Sequence, residues 1–357
     1  MTVIRQVLSG AGPVDAVTSQ ALSFRSLFES WGLRSTVHAA FRDPRVDEGI
    51  EPLADLDAAD DDLLLIHYSA YAPRLVSLLE APQRKLLVYH NITPARYLWE
   101  HSPHVATACA LGRDHLPRYA RAADVAVGVS RYNALELERA GAPAARVVPL
   151  LFDVARLEAR GAAPAVGPGP LVLVVGRLVP NKRPDQAIRA FALYQRHCAP
   201  EATLMCVGEP TSAEYTEKLA GLAREVGARN VLLTGPLPQP DLNAAYERAD
   251  VMLSLSEHEG FCLPLLEAFH FGVPVVARPA GAMPEVGGDA VLWADDPDLA
   301  VVSELIDLAV RDAELRQALD GRARARLEHY AYDRVARALR ETVEEAIGQG
   351  SATRVSA

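Results

Sequence analysis

The sequence predicts an α/β protein with two doubly wound sheets of parallel strands, one in each half of the chain. Short apolar segments of strand type alternate with helical patterns, and this alternation is typical of parallel sheets with crossover helices. The chain has 357 residues, which is long enough for two domains that each bury a core. Residues 159–170 are rich in glycine, proline and alanine, so they are the predicted linker between the halves.

The predicted strands are short and apolar. In the first half they are Ile4–Leu8, Ser35–Ala39, Leu63–His67, Leu86–Tyr89, Val125–Val129 and Val147–Leu150. In the second half they are Leu171–Val175, Thr203–Val207, Val231–Thr234, Val251–Leu255, Val273–Ala277 and Ala290–Trp293. We expect domains at 1–162 and 163–332, followed by a helix at 333–347 and a frayed tail at 348–357.

Composition limits the classes of function. Half of the residues are hydrophobic (50%) and 23% are charged, as in a globular protein. The net charge of -10 argues against a nucleic-acid partner and weakens, without excluding, attraction to an anionic membrane surface. No apolar run approaches the roughly 20 residues that span a bilayer, and the N-terminus lacks the apolar block of a signal peptide. We expect a cytoplasmic protein, with peripheral contact at the inner face of the membrane left open.

The cysteines and histidines predict no metal site. The cysteines lack the paired spacing of metal ligands, which favours a reduced protein. They are Cys109, Cys198, Cys206 and Cys262. His101, His104 and His115 lie near Cys109 in the sequence, but their spacing is also irregular, so no zinc site is expected there.

Residues 259–267, Glu259-Gly-Phe-Cys-Leu-Pro-Leu-Leu-Glu267, are the most informative segment. A strand-like run precedes them, Pro264 suits the first turn of a helix, and Gly272 is expected to end that helix. A helix N-terminus favours phosphate, so the backbone amides of this turn are expected to bind an anion. These amides belong to Gly260, Phe261, Cys262 and Leu263. Because a carboxylate repels phosphate, both glutamates are expected to bind neutral hydroxyls, and Glu267 leans back toward the helix start, where ribose hydroxyls would lie.

A second basic segment follows the predicted strand Leu171–Val175. Arg177 and Lys182 lie just after this strand, and ligands of open α/β sheets bind at the carboxyl ends of the strands. One guanidinium and one ammonium can neutralise a diphosphate while its bond to a sugar breaks. The alternative is a solvated basic loop before a helix that Pro184 begins.

The two segments together resemble the signature of glycosyltransferase family 4, a family of retaining enzymes with the GT-B fold. The family carries a Gly-Arg pair and a lysine five residues after the arginine, as in Gly176, Arg177 and Lys182 here. Cys262 stands where the family commonly has glycine or a small residue. The resemblance implies two Rossmann-like domains that face a central cleft, with a last helix that returns to the first domain.

The resemblance also implies a role for each residue of the two segments. Arg177 and Lys182 would hold the phosphates of a nucleotide diphosphate sugar, with Glu267 on the ribose and Glu259 beside the sugar. The donor is a co-substrate, so no separate cofactor and no metal are implied. From the residues alone, the alternatives are a surface glutamate at position 259 and a solvated helix carboxylate at position 267.

Turns in the first half supply further candidates. A glycine turn at residues 10–12 follows the first strand and lets a ligand approach the backbone, although it lacks the full dinucleotide fingerprint. His90 begins the string His-Asn-Ile-Thr-Pro, and a branch of family 4 has a closely similar string. The resemblance implies that His90 binds a sugar hydroxyl or orients the acceptor. His67 is expected to line the same region. The residues implied on the acceptor side are Gly10, Ala11, Gly12 and Asn91. A plain tight turn and a turn histidine remain the alternatives.

The sequence thus predicts a retaining glycosyltransferase of the hexosyltransferase class, with a UDP- or GDP-linked sugar as donor and a hydroxyl as acceptor. The resemblance also implies a retaining chemistry in which the leaving phosphate oxygen takes the acceptor's proton on the same face, and this would explain why no general base is visible. The acceptor is left open among a glycan, a lipid-linked intermediate and a small metabolite, and so is the oligomeric state. Two alternatives are a GT-B nucleotide-sugar epimerase and a protein that binds a nucleotide sugar without catalysis.

Overall fold

A computed structural model describes residues 2–13, 15–46, 49–162, 165–295 and 298–353. The chain forms two compact units. Unit 1 comprises Met1–Arg96, His104–Leu151 and Tyr332–Ala357, and unit 2 comprises Tyr97–Pro103 and Phe152–Ala331. Residues 163 and 164 of the predicted linker and residues 354–357 of the predicted tail lie outside the described residues. The domain limits inferred from the sequence, and the central cleft, stay predictions.

Strands and helices alternate along the described chain. The strands are β1 (Val3–Leu8), β2 (Arg34–Ala39), β3 (Glu51–Pro52), β4 (Leu63–Tyr68), β5 (Arg84–Tyr89), β6 (Val125–Gly128), β7 (Ala145–Val147), β8 (Leu171–Val175), β9 (Thr203–Val207), β10 (Val231–Gly235), β11 (Val251–Ser254), β12 (Val275–Ala277) and β13 (Val291–Trp293). The α-helices are α1 (Ala16–Ser30), α2 (Pro73–Val76), α3 (Pro103–Ala122), α4 (Arg131–Ala140), α5 (Pro184–His197), α6 (Ala213–Glu225), α7 (Gln239–Arg248), α8 (Leu263–His270), α9 (Met283–Gly287), α10 (Leu299–Arg311), α11 (Ala313–His329) and α12 (Tyr332–Thr353).

The sheet of unit 1 has the order β3-β2-β1-β4-β5-β6-β7, and its paired strands are parallel. The order reverses between β1 and β4, which are neighbours although β2 and β3 separate them in the sequence. Leu8 lies opposite His67 and Tyr68 lies opposite Tyr89, so β1, β4 and β5 end at the same edge of the sheet. The residues that follow these three strands are therefore brought together.

The sheet of unit 2 has the order β10-β9-β8-β11-β12-β13 and is also parallel. Its order reverses between β8 and β11, where Val251 lies opposite Val172. Ligands of open α/β sheets bind beyond the carboxyl ends of the strands at such a reversal. The loops after β8 and β11 therefore form the expected ligand edge of unit 2. The prediction of an α/β protein with two doubly wound sheets is confirmed.

Helices α5 and α10 anchor one face of the unit 2 sheet. Val172 of β8 belongs to a buried cluster with Phe191 of α5 and Ile306 of α10. Phe191 and Ile306 are fully buried, and complete burial of one such side chain stabilises a fold by about 1.5–3 kcal/mol. This packing fixes β8, and with it the start of the loop that carries the basic residues.

Three of the differences between the predicted and the observed strands have a physical reason. Strand β3, which was not predicted, consists of two exposed residues and has too little apolar character to be recognised in a sequence. The strand predicted at 147–150 is instead β7, which ends at Val147, and the strand predicted from Val273 begins at Val275. Val273 is bound to the end of α8, because its amide donates to the Ala268 carbonyl (2.9 Å), and Pro274 has no amide hydrogen for a strand ladder.

A side chain explains why the apolar run after β7 is not a strand. Leu151 is buried, and its amide and carbonyl are both bound by Gln20 of α1 (2.8 and 2.9 Å). The glutamine amide thus replaces the pairing that a neighbouring strand would supply. Burial made this run look like a strand. The amide of Val148 still donates to the Gly128 carbonyl of β6 (3.1 Å), but the backbone of Leu151 bonds to a side chain.

Among the described residues, no helix has both the length and the apolar character that a membrane crossing requires. The cytoplasmic location stays a prediction, and peripheral contact with a membrane stays open.

Candidate functional site

The loops after β8 and β11 are joined by Asn181. This buried residue lies in a 3-10 turn, Pro180–Lys182, and its carbonyl accepts hydrogen bonds from the amide of Glu257 (2.7 Å) and the hydroxyl of Ser256 (3.3 Å). Its side-chain amide donates to the carbonyl of His258 (3.3 Å). Asn181 therefore holds the loop that carries Lys182 against the loop that leads to Glu259.

Lys182 and Glu259 form an ion pair, in which Nζ of Lys182 bonds to Oε1 of Glu259. The Glu259 side chain is 9% exposed and the Lys182 side chain 23%, so the pair opens to solvent on the lysine side. The sequence assigns these residues separate roles, and the structure of the free protein brings them into direct contact. A phosphate that approached Lys182 would therefore compete with Glu259 for it.

Two glycines that the sequence analysis missed hold the backbone of this region. Gly281 has φ of +59°, and a Cβ there would lie 2.2 Å from the carbonyl oxygen of Glu259. Gly208 packs in the same way against Gly176, because a Cβ on Gly208 would lie 2.1 Å from the carbonyl oxygen of Gly176. The amide of Ala282 also donates to the Glu259 carbonyl (2.9 Å). Close packing of backbone on backbone thus sets the position of Glu259 and of the turn before Arg177.

The arginines near the ion pair fall into two kinds. Arg177 is exposed, and its side chain makes no hydrogen bond or ion pair with any other described residue, so its guanidinium is available to a ligand. Arg183 is instead bound to Asp185 and Glu257, and Arg278 donates to the same Glu257 oxygen (3.1 Å). Arg183 and Arg278 therefore brace the loop, whereas Arg177 is left for binding.

Helix α8 begins one turn after Glu259, close to the predicted place. Pro264 lies in its first turn, and Gly272, with φ of +65°, follows its end. Cys262 caps the helix with φ of +81°, in the left-handed region that glycine adopts most easily. This backbone conformation explains why a glycine or small residue suits the position. The turn from Gly260 to Leu263 leads directly into the helix N-terminus, where the dipole favours an anion.

Glu267 lies one turn into α8 and is partly buried. The hydroxyl of Tyr246 donates to its Oε2 (2.9 Å), and Oε1 has no hydrogen-bond partner among the other described residues. Burial raises the pKa of Glu267 above its ordinary value, while the bond from Tyr246 acts in the opposite direction. One carboxylate oxygen is thus held by the protein and the other can accept a ligand hydroxyl. Tyr246 was not recognised in the sequence, because its partner lies on another helix.

In unit 1, His90 follows β5 and heads a chain of side-chain hydrogen bonds. Its Nε2 lies 2.9 Å from Nδ1 of His67, and Nε2 of His67 lies 2.9 Å from Oε1 of Gln6. Burial lowers the pKa of His90 to about 3. The pKa of His67 also lies well below its ordinary value, mainly because the ring is buried and to a smaller extent because His90 is close. Both histidines are therefore neutral at ordinary pH. His67 contacts His90 but is fully buried, so its expected place in the lining of the same region stays a prediction.

Asn91 shapes the turn that presents His90. It has φ of +80°, a conformation that asparagine tolerates better than most residues. Its side-chain amide donates to Asn133 (2.7 Å) and to Glu136 (3.1 Å), and Arg113 donates to the other oxygen of Glu136 (2.7 Å). These contacts are made within unit 1. The acceptor-side role of Asn91 stays a prediction.

The glycine turn lies between β1 and α1. The amide of Ala11 donates to the Phe41 carbonyl (2.9 Å) and the amide of Gly12 to Thr18 Oγ1 (3.1 Å). A Cβ on Gly10 would meet its nearest atom at 3.9 Å and one on Gly12 at 3.7 Å, which are ordinary contacts. Packing does not require glycine at these two positions, so close approach of a ligand remains the predicted reason for them.

No group of three or more metal-ligating side chains occurs within the part of the chain that the structure describes. The cysteines of that part are free thiols. Independence of metals and cofactors stays a prediction.

Acid should destabilise unit 1 through the two neutral histidines. Their pKa values are lowered in the folded state, so the unfolded chain binds more protons as the pH falls from about 6.5 toward about 3. The free energy of unfolding should then decrease by up to about 1.4 kcal/mol per pH unit for each histidine. Urea unfolding of the wild type at about pH 7 and about pH 5 measures this slope. His67→Gln should weaken the pH dependence, and the exposed control His104→Gln should keep it; equal slopes in both variants would contradict the assignment.

Comparison with known proteins gives a family match over the segments that carry this site in unit 2. The family described as "Glycosyl transferases group 1" matches residues 156–326. These residues make up just under half of the chain. The match includes the loops that carry Arg177, Lys182, Glu259 and Glu267, so the suspected resemblance to family 4 is confirmed at the level of the glycosyl transferase group 1 family.

Curated relatives in the family share about a third of the aligned residues. The D-inositol 3-phosphate glycosyltransferase of Salinispora arenicola is 33% identical over 233 residues, which are 61% of this chain and 52% of that protein. The GDP-mannose-dependent alpha-(1-6)-phosphatidylinositol monomannoside mannosyltransferase of Mycolicibacterium smegmatis is 30% identical over 242 residues, 62% of this chain and 61% of that protein. The chain spans about half the length of the curated relatives that it matches.

Solved structures show the same fold. Anabaena HepE, solved with UDP and glucose, is 17% identical with a TM-score of 0.72, and the match covers 96% of this chain and 100% of that chain. Sucrose-phosphate synthase from Thermosynechococcus elongatus is 15% identical with a TM-score of 0.75, and the match covers 98% of this chain and 100% of that chain. At these identities the likeness concerns the fold alone, and the GT-B prediction is confirmed.

Proposed function

We propose that the chain is a retaining glycosyltransferase that moves a sugar from a nucleotide diphosphate sugar to a hydroxyl acceptor. The observation that carries this proposal is the arrangement at the β8 and β11 ends. There a partnerless Arg177, the Lys182–Glu259 pair and the start of α8 with Glu267 belong to adjoining segments. These groups match the phosphates, the sugar and the ribose of such a donor. The match of residues 156–326 to the glycosyl transferase group 1 family supports the same proposal.

The positive charges are assigned to the diphosphate. Arg177 can approach it without giving up a protein partner, and Lys182 can exchange the Glu259 carboxylate for a phosphate oxygen. Amides after Glu259 and the dipole of α8 add to this attraction. Charge grows on the phosphate as its bond to the sugar breaks, so these groups stabilise the transition state more than the bound donor.

The two glutamates are assigned to hydroxyls and to the sugar centre. The partnerless Oε1 of Glu267 accepts from the ribose, while Tyr246 keeps the carboxylate in place. Glu259, released from Lys182 when phosphate binds, is then available beside the sugar, where a negative charge stabilises an oxocarbenium-like centre.

The reaction balances without a protein base. The bond from the anomeric carbon to the phosphate oxygen breaks, and a bond from the same carbon to the acceptor oxygen forms on the same face. The acceptor proton passes to the departing phosphate oxygen. The protein supplies position and charge, and it needs no nucleophile for this route.

The donor is UDP- or GDP-linked. One relative is GDP-mannose-dependent by name, and the HepE structure holds UDP, so both nucleotides belong in the test. The relatives' names also bring D-inositol 3-phosphate into the acceptor panel, beside glycans and lipid-linked sugars. The epimerase and the non-catalytic binder are less well supported, because the named relatives are transferases.

A donor panel tests the proposed function. The full chain is incubated with UDP-glucose, UDP-N-acetylglucosamine, GDP-mannose and related donors, with and without acceptors, and nucleoside diphosphate release is measured. We expect slow release alone, faster release with the right acceptor, and a product with the donor's anomeric configuration by NMR. Tight donor binding without release, or an epimerised nucleotide sugar, would overturn the proposal in favour of one of the alternatives. An inverted product would overturn retention.

Glu259→Gln should separate binding from transfer. The amide no longer competes with phosphate for Lys182, so the nucleoside diphosphate should bind about three- to tenfold more tightly, while transfer falls by about tenfold or more. Calorimetric titration and the release assay measure the two effects. The exposed control Glu225→Gln, which removes the same charge from α6, should change neither. Weaker nucleotide binding by Glu259→Gln would contradict the competition between carboxylate and phosphate.

A further inference from the structure

A buried polar chain in unit 1 runs from His90 into the centre of the sheet. His90 contacts His67 of β4, which contacts Gln6 of β1, and Nε2 of Gln6 lies 3.1 Å from Oγ of Ser35 on β2. Gln6 and His67 are fully buried at positions where apolar residues would fill the same space. Buried polar groups are costly unless all their hydrogen bonds are made, so the arrangement of donors and acceptors here is restricted.

The direction of each hydrogen bond follows from the two backbone carbonyls that the chain meets. Nε2 of Gln6 lies 3.0 Å from the carbonyl oxygen of Ala21, which can only accept, so this end of the glutamine amide is the nitrogen. The hydroxyl of Ser35 donates to the carbonyl of Ile4 (3.1 Å) and accepts from Gln6. The oxygen of the Gln6 amide therefore faces His67.

The tautomers of both histidines follow from that oxygen. Oε1 of Gln6 only accepts, so Nε2 of His67 carries the hydrogen and Nδ1 of the neutral ring is a bare acceptor. Nε2 of His90, 2.9 Å away, must then carry a hydrogen and donate it to that Nδ1. Nδ1 of His90 is left with a lone pair, and it has no hydrogen-bond partner among the other described residues.

Packing holds the two rings in this arrangement. The His67 and His90 rings are stacked with centroids 5.1 Å apart. The centroid of the Phe24 ring, on α1, lies 5.6 Å from that of His67. Burial of both imidazoles disfavours the doubly protonated form that would reverse the hydrogen bonds, in agreement with their lowered pKa values.

We propose that Gln6 and His67 are positioning residues that lock His90 in the tautomer protonated at Nε2, so that its Nδ1 accepts a hydrogen bond from a substrate hydroxyl. The tautomer follows from unit 1 alone, and the hydroxyl role rests on the proposed glycosyltransferase function. A neutral acceptor of this kind recognises a hydroxyl as a donor. It does not deliver a proton to the leaving group.

Histidine side-chain NMR on the full, nitrogen-15-labelled chain tests the tautomers directly. We expect both rings of the wild type to be protonated at Nε2 and bare at Nδ1, with each ring assigned by its absence from the spectrum of a His67→Gln or His90→Gln variant. His90 protonated at Nδ1 in the wild type would overturn the proposal before any other variant is made.

Gln6→Leu should leave the tautomers of both histidines unrestricted, because it removes Oε1, the oxygen that accepts the hydrogen bond from Nε2 of His67. We expect mixed tautomers at His67 and His90 in this variant. Gln20→Leu is the matched control, since it removes another buried glutamine of unit 1 whose partner is the Leu151 backbone. Ser35→Ala, which leaves the Gln6 oxygen in place, should also keep the wild-type tautomers. Tautomers unchanged in Gln6→Leu would overturn the role of Gln6.

Kinetics then test the hydroxyl role. Gln6→Leu should lower kcat/KM for transfer by about ten- to a hundredfold, as loss of an orienting partner does, and leave the Kd of the nucleoside diphosphate unchanged. An unchanged kcat/KM in a variant with mixed tautomers would overturn the hydroxyl role. A wild type that has the expected tautomers but transfers no sugar would overturn the proposed function and leave the lock in place.

Discussion

Lys182→Ala is expected to slow sugar transfer by about two to three orders of magnitude, because it removes a positive charge from the phosphate on which negative charge develops. It also leaves Glu259, whose side chain is only 9% exposed, without its ion-pair partner. The nucleoside diphosphate should bind more weakly as well, but by a smaller factor than transfer falls, because the charge on the phosphate is greatest in the transition state.

The matched control for this variant is Lys218→Ala. Lys218 lies on α6 of unit 2 and pairs with Glu100 at an exposed position, so its removal changes the net charge equally without touching the β8 or β11 loops. Its transfer rate should equal that of the wild type. A Lys182→Ala enzyme with an unchanged rate would remove this lysine from the site, whatever the control does.

Gly281→Ala is expected to lower transfer by about a hundredfold, although the residue carries no chemistry. A Cβ at this position would lie 2.2 Å from the Glu259 carbonyl oxygen, so the backbone of Glu259 must move. A displacement on the order of 1 Å at a catalytic group is enough for a loss of this size. The left-handed φ of +59° adds about 1–2 kcal/mol of strain for alanine.

Gly227→Ala separates the strain from the displacement. Gly227 also has a left-handed φ, +73°, but a Cβ there meets no atom within 4 Å. Both variants should therefore lose stability in urea unfolding, Gly281→Ala by more, and only Gly281→Ala should lose transfer activity. Equal activity in the two variants would show that the Gly281 contact does not position Glu259.

The sequence predicts well those features that depend on neighbouring residues. The strand β8, the basic residues that follow it and the proline at the start of α8 all belong to short segments with their own pattern. The doubly wound, parallel type of sheet also follows, because alternating strands and helices permit few arrangements. The positions of Arg177, Lys182 and Glu259 in the loops after β8 and β11, and of Glu267 in α8, were available from this local information.

The features that the sequence did not reveal depend on contacts between distant segments. Lys182 and Glu259 were given separate tasks, and no local pattern shows that they form an ion pair across 77 positions of the chain. Gly281 looks like an ordinary turn residue until the Glu259 carbonyl is placed beside it. Gln6 gave a detectable signal, as a polar residue in the middle of a buried strand, but its partner His67 is fixed only by the pairing of β1 with β4.

A crystal structure of the chain with the nucleoside diphosphate released in the donor panel would locate the donor site. We expect the diphosphate within hydrogen-bonding distance of Arg177 and Lys182 at the start of α8, with Lys182 withdrawn from Glu259 and the ribose hydroxyls on Oε1 of Glu267. A nucleotide bound elsewhere, or one bound with Lys182 still paired to Glu259 and the ribose away from Glu267, would contradict this expectation.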